Sequence, residues 1–505
     1  MLQHAVIKMQ KQNIDALINL AIRRNLVIPS FSVYGEMSGF YDLGPEGTRI
    51  RNNIVSAWRR YFIDGMGNAE IDTTIVGPEK VFEASGHLEK FFDYLSYCKD
   101  CKTSYRIDKV LEEHFESKGD TASIDRLKSA TAEELDRMVK ENGINCDKCG
   151  GELGPAEPFN LMLQTGVGPK GAVRGYLRPE TAQSIFLDFK KIFSAGGMKL
   201  PIGIGTVGKA FRNEISPRRM LIRLREFSQM ELEYFFDAEA GEIIIDGNRV
   251  DDAEFMNESI NLLTREDQLK GRNTKAATIK EALDSGVIPN RMFAYLVFKY
   301  LGFVRGLGFK DDMIRFRQAL PEELPHYSKG NIDVEASIGG RFEEITGIAY
   351  RTDFDLSNHQ KYSGADMSVS VDGKKVMPHV VEISTGIERT FWTLLFNSHY
   401  FDEERGWDVV LLNKGIAPYD YAVFPLQKDE KLIALARKVL EELKAKGISA
   451  YYSSTGSIGK RYARADEVGV RGAITVDYQS LEDNTVTVRG VADAKQARKK
   501  IEEIS

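Results

Sequence analysis

Ile14, Leu17, Ile18, Ala21 and Ile22 recur three and four residues apart, which predicts an amphipathic helix near the start of the chain. A different period governs residues 203–236, which read as a strand, a charged loop and a returning strand, the pattern of a long antiparallel hairpin. From Leu221 to Phe235 the alternation is two-fold: Arg223, Arg225, Phe227, Gln229 and Glu231 share one parity, while Leu224, Met230 and Leu232 share the other. One face should be apolar and buried, and the other should gather guanidinium, aromatic and carboxylate groups. Val380–Ser384 predicts a buried strand, Gly386 a turn, and the apolar run Thr390–Phe396 a helix with Arg389 in its first turn. Farther on, an apolar strand at 421–424, a helix at 428–446 stopped by Gly447, and a strand at 448–452 predict a closing α/β domain over 413–505. Two stretches interrupt this regularity. Val110–Asn142 is charged and helical, and implies an insertion over 98–151. A polar run from Gly241 to about Pro289 reads as helical and partly surface-lying, within a second insertion over 241–330.

Composition narrows the classes. With 505 residues, 42% hydrophobic and 28% charged, the chain can bury several cores without disulfide staples. No apolar run approaches the roughly 18 residues that suggest a membrane span, so no membrane association is expected. A net charge of −6 excludes a generally basic nucleic-acid coat but leaves room for local basic patches. The four cysteines and the lack of a secretory pattern point to a reducing compartment, and a cytoplasmic protein is expected.

Four constellations carry candidate chemistry. Arg212 and Glu214 lie two apart after an apolar strand, and alone they read as a surface ion pair. The loop 215–225 that follows holds four arginines (Arg218, Arg219, Arg223, Arg225) and no acid, a composition suited to bidentate phosphate capture, with Phe227 offering a π face to a purine. Glu382 and Ser384 share a strand face just before Arg389, whose charge opposes the helix dipole and suits an anionic ligand. Cys98/Cys101 and Cys146/Cys149 form two Cys-x-x-Cys knuckles, 44 residues apart, the make-up of a closed zinc site; buried free thiols or a redox pair are the alternatives. Lys460, Arg461 and Arg464 follow a Gly/Ser turn, where they form either a nucleic-acid contact or a solvated helix start. His87, His326, His359 and His379 lack ligand spacing and read as loop or core residues.

Together these segments resemble class II aminoacyl-tRNA synthetases: Arg212–Phe227 is similar to motif 2, Gly386–Arg389 to motif 3, and the helix Thr48–Asp64 with the strand ending at Pro78 to motif 1. Longer strings resemble the homodimeric glycyl-tRNA synthetases, among them 39–45, Ser85-Gly-His87, 176–183, 211–217, 351–356 and 456–459. The resemblance runs from about Gly39 to Asp477. It implies a multidomain α+β/α/β fold: an antiparallel catalytic core (1–412), an inserted zinc-binding lobe and an anticodon-binding domain (413–505). It also implies ATP-dependent joining of glycine to tRNA(Gly) through glycyl-adenylate, by a homodimer formed through motif 1, with Mg²⁺ accompanying ATP; the structural Zn²⁺ is expected from the cysteine spacing more than from the resemblance. Arg212 and Arg389 become the catalytic residues. ATP binding falls to Arg212, Asn213, Glu214, Arg223, Leu224, Phe227, Glu344, Ile345 and Arg389. Glycine binding falls to Arg106, Glu180, Glu231, Glu382, Ile383 and Ser384, and tRNA binding to Lys460, Arg461 and Arg464. Two departures stand out: Thr346 replaces a family glutamate, and Glu382-Ile-Ser-Thr-Gly386 replaces Glu-Pro-Ser-Ala-Gly.

Overall fold

The computed structural model describes residues 13–127, 130–215, 217, 220–245, 248–324 and 327–504; Arg218, Arg219 and His326 lie outside them. The hairpin expected at 203–236 supplies the second and third strands from one end of a nine-stranded sheet. Ile202–Phe211 pairs antiparallel with Glu226–Phe236, which is followed in order by His379–Gly386, Arg341–Thr352, Asn331–Ile338 and Ile314–Gln318, all antiparallel. Ala69–Glu70 joins one end in parallel; at the other, Ser259–Leu263 adds in parallel and Lys275–Thr278 antiparallel.

The apolar parity of Glu226–Phe236, including Met230 and Leu232, enters the main core with Trp58, Phe62, Tyr300 and Trp392. These rings come from the helices Pro45–Trp58, Arg291–Leu307 and Ile387–Ser398 and from the wider π-helical turn Arg59–Asp64 that continues the first of them. Gly205 permits the approach, because a Cβ there would stand 2.7 Å from the Trp58 ring. The second face of the strand is covered as well. Helix Ala182–Ala195 lies over it, with Phe189 stacked on Phe235 at 3.9 Å between ring centroids. Carboxylates on that face are therefore sealed in protein.

The polar stretch after Gly241 departs from its expected helical character. It carries three short helices but also the strands Ser259–Leu263 and Lys275–Thr278, the last two at that end of the sheet, because Ile260 and Leu262 alternate into the core. Residues 241–330 thus contribute strands to the central sheet. The first helix, Ile14–Arg23, buries Leu17, Leu20 and Ala21, whereas Ile22 stays exposed. Around the four cysteines, Tyr105, Ile107, Leu111, Phe115, Leu135 and Met138 form a small core of their own. In the last segment, Ala450–Tyr452, Tyr421–Pro425 and Gly472–Val476 pair in parallel, and Thr485–Gly490 and Gln496–Lys500 extend the sheet antiparallel. The helix Glu430–Ala445, capped by Asp429, packs on it. Two buried acids fasten this segment: Glu467 pairs with Arg23 and Arg24, and Asp466 accepts from Arg405, Trp407 and Arg489.

Candidate functional site

A cavity of about 540 Å³ opens over the sheet, in the size range of small-molecule sites. At one end three guanidinium groups converge. Arg212 follows the strand Ile202–Phe211, donates to the Pro179 carbonyl, and lies between two rings, 5.3 Å from the centroids of Phe91 and Phe227. It does not pair with Glu214, as the sequence suggested; Glu214 accepts instead from Arg223 Nε at 2.9 Å. Arg389 stands in the first turn of Ile387–Ser398 and donates to the Ile222 carbonyl and to Glu344, each at about 3 Å. Arg223 and Arg389 thus each rest on a carboxylate at the cavity wall, a charge balance that an incoming polyanion would replace. Arg225 is spent on the carbonyls of Ser38, Glu214 and Ile215.

Glu344 reaches the cavity because of a β-bulge. The register between Asn331–Ile338 and Arg341–Thr352 shifts at Val334/Glu335, so Ile345 is the extra residue. Glu344 and Gly347 consequently line the cavity. Thr346 points into the core, bonded to the hydroxyls of Tyr300 and Thr385, and so takes no part in ligand contacts. Leu224 and Ile345 line the cavity as expected.

Acidic groups gather at the other end. Glu382 and Ser384 face the cavity from one strand; the intervening Ile383 turns its side chain into the core, which corrects its assignment as a glycine contact to backbone at most. Arg106 is held by Asp93 and Asp108 and does not line the cavity, nor does Asn213, whose amide is bonded to the Leu161 carbonyl. Glu180 lines the cavity from the loop before helix Ala182–Ala195, and its Oε1 accepts from Gln183 at 2.8 Å. Glu231 lies one layer deeper, opposite Ser384 in the sheet, and accepts from the amide and hydroxyl of Thr181.

Beneath them sits Arg351, fully buried, bonded to Glu382 and Asp355 and 3.7 Å from the Tyr327 ring centroid. Glu233 completes the cluster: ligand oxygens of Glu231, Glu233 and Glu382 lie within 4.8 Å of one another, and both Glu233 oxygens lack a hydrogen-bond partner among the described residues. Burial, reinforced by the neighbouring acids, pushes Glu382 up to about 8 and Glu233 well above the usual carboxylate range. Glu231 is raised by burial and by Glu180. Burial alone would raise Glu180 too, but His87, Arg351 and Gln183 outweigh it and hold that group low. Arg351, Gln183 and Glu233 escaped the residue-level reading, although the first two fall within strings that carry the resemblance.

The four cysteine sulfurs come together, with 3.4 Å between Cys98 and Cys149 and 3.6 Å between Cys101 and Cys146. Tyr105 hydrogen-bonds to Cys146 at 3.0 Å and is the main reason that thiol is pushed down to about 6. In the last segment Lys460 is exposed and Arg464 half-buried, but Arg461 is 4% exposed and donates to the carbonyls of Pro425, Leu426 and Ser453. That guanidinium stitches the helix Ile458–Glu467 to its sheet and cannot serve a surface ligand.

Residues 420–505 match a family model described as an anticodon binding domain. The glycine–tRNA ligase of Pyrococcus furiosus is 37% identical, over 97% of this chain and 97% of its own length. That of Aeropyrum pernix is 35% identical over 96% and 94%. Among solved structures, the prolyl-tRNA synthetase of Giardia lamblia in complex with prolyl-adenylate superposes with a TM-score of 0.59 at 14% identity, over 98% of this chain and 76% of that one. The corresponding protein of Cryptosporidium parvum, complexed with L-proline and AMP, gives 0.56 at 13%, over 98% and 77%. These two likenesses establish the class II synthetase fold.

Proposed function

The chain belongs to the glycine–tRNA ligase family, and from that premise we propose how its residues divide the work. The enzyme joins glycine to tRNA with ATP. The glycine carboxylate attacks the α-phosphorus as the bond to pyrophosphate breaks; a terminal ribose hydroxyl of tRNA then attacks the acyl carbon and AMP leaves. No side-chain nucleophile is required, so acceleration comes from positioning and charge neutralisation. Arg212, Arg223 and Arg389 receive the phosphates of ATP, which enters as its magnesium complex, and Glu214, Phe227 and Glu344 complete that end. Glu180, Glu231, Glu382 and Ser384 receive the glycine ammonium. A single observation carries this division: one cavity is lined both by the guanidinium groups of Arg212, Arg223 and Arg389 and by the carboxylates of Glu180 and Glu382, complementary to a polyphosphate and an ammonium. Nothing smaller than glycine competes for the pocket, so exclusion by size suffices and no editing site is needed.

Cys98, Cys101, Cys146 and Cys149 fit a structural zinc: four sulfurs at mutual contact leave no open position for catalysis. Residues 413–505 act as the anticodon module, with Lys460 and Arg464 toward tRNA, and 1–412 as the catalytic body, with the zinc lobe at 98–151. Homodimerisation through the motif 1 helix and Val76–Pro78 is supported by the exposed apolar Ile75 and Val76 beside it. The reading implies a cytoplasmic enzyme. ATP–pyrophosphate exchange across the twenty amino acids tests it: glycine alone should support rapid exchange, and preference for another amino acid would refute the assignment.

A further inference from the structure

Glu180 has two oxygens to satisfy at a site only 7% exposed. Gln183 bonds one of them. Toward the other, Oε2, points Nε2 of His87 at 3.5 Å, and both residues line the cavity. The imidazole is itself held on its far side, where the Ser85 hydroxyl lies 2.7 Å from Nδ1. The carboxylate opposite Nε2 favours a ring proton there, with the Ser85 hydroxyl, which also reaches the Phe82 carbonyl at 3.4 Å, closer to Nδ1 at 2.7 Å. If Ser85 donates to Nδ1, the ring proton sits on Nε2 and faces the carboxylate; if the ring is doubly protonated, Nε2 also carries a proton. Only the Nδ1–H form would set a lone pair against Glu180, and that contact is repulsive.

The ring has little freedom to turn away. Phe82 and Phe91 meet it edge-to-face, at 6.4 and 5.6 Å between centroids. Gly86, at φ +81°, turns the chain just before it, and Asn160 donates to the carbonyls of His87 and Leu88. A buried histidine with both ring nitrogens spoken for is an ordinary core feature, but here one partner is a cavity-lining carboxylate.

We propose that His87, oriented by Ser85, is a positioning residue for glycine recognition: it holds the Glu180 carboxylate in the plane in which Oε2 meets the substrate ammonium. The proposal rests on the glycine-activation reading and deepens it. His87 donates to Glu180 rather than to substrate, so its removal frees the carboxylate to rotate and weakens glycine binding, while the phosphate end keeps its contacts.

Pyrophosphate exchange with glycine tests this on the full chain and on His87→Ala, His87→Gln and Ser85→Ala, with urea-unfolding midpoints recorded for each. His87→Ala is expected to raise KM for glycine about tenfold, with KM for ATP changing less than about twofold, the size of effect that follows from removing a hydrogen bond to a charged group. His87→Gln, which keeps an N–H donor of similar reach, should recover most of that effect, and Ser85→Ala should raise the glycine KM about threefold. A purely structural histidine would lower the active fraction without splitting the two KM values. The proposal is overturned if glycine KM stays put in His87→Ala, if ATP KM rises in step with it, or if glutamine does no better than alanine. Should His87→Ala not fold, Ser85→Ala decides, and an unchanged glycine KM there overturns the proposal. Absence of glycine-dependent exchange in the unmodified enzyme defeats the underlying reading as well, an outcome distinct from all of these.

Discussion

Arg389 sits where helix physics disfavours it, a cation in the first turn of Ile387–Ser398, held there by Glu344 and a carbonyl. On the proposed reading its charge serves phosphate, so Arg389→Ala should slow glycine-dependent pyrophosphate exchange by about 100- to 1000-fold, with a thermal midpoint at or above that of the unmodified protein. Normal exchange would remove Arg389 from the reaction. The acids at the other end predict a pH effect. Burial raises Glu382 to about 8 and Glu233 well above the usual carboxylate range, so the folded protein binds more protons than the unfolded chain between the two values. Stability held below about pH 5 therefore declines as pH rises toward 8. Glu233→Gln, which keeps the shape without the titrating group, should flatten that decline; urea midpoints from pH 5 to 8 would reveal an unchanged slope if the idea is wrong. These two residues also mark the limit of reading the sequence. Arg389 was legible because one local rule, the dipole, flags it. Glu233 shares the parity of Glu231, but the helix that seals both comes from residues 182–195, and no local pattern reports what will cover a strand.

Elements were legible in proportion to how locally they are determined. The hairpin, the closing α/β segment and the two cysteine knuckles follow from short-range periodicity and spacing. The outer strands Ser259–Leu263 and Lys275–Thr278 do not: four or five residues give too little alternation to outweigh polar surroundings, and the strand that joins them to the sheet, Ile314–Gln318, lies about 50 residues beyond Leu263. The bulge at Ile345 was invisible too, although it explains why Thr346 can replace an acid without touching the cavity. Sequence spacing also predicts what the cysteine-bearing lobe needs. Its core is small and separate from the main one, so on the zinc reading its order should depend on the metal. Cys98→Ser with Cys146→Ser is expected to increase amide exchange over 98–151 well before the central sheet changes, and metal analysis of the unmodified protein should give about one zinc per chain. Uniform protection in the variant, or no zinc, would remove the metal's structural role.

At the scale of the whole molecule, two tasks meet on one helix. Ile458–Glu467 carries Lys460, exposed, in its first turn and Arg464, half-buried, in its last, while Asp466 and Glu467 at its end bind Arg405 and Arg23 from the preceding part of the chain. Arg461, between them, is locked to its own sheet, so only two of the three expected cations are available to tRNA. Every cavity residue assigned to ATP or glycine lies before Thr390, so reversing the charge at the two outward positions should leave amino-acid activation intact. Lys460→Glu with Arg464→Glu is therefore expected to weaken tRNA binding and to reduce the salt dependence of its affinity by about 0.7 to 0.9 in log–log slope for each phosphate no longer neutralised. Filter binding of tRNA across a salt series, run beside pyrophosphate exchange, separates the outcomes. A failure of exchange would mean that the substitutions disturbed docking through Asp466 and Glu467, and an unchanged slope would mean that the helix start is merely solvated. A lower slope with full exchange is the result required if this helix carries tRNA recognition on Lys460 and Arg464 and holds the module in place through Asp466 and Glu467.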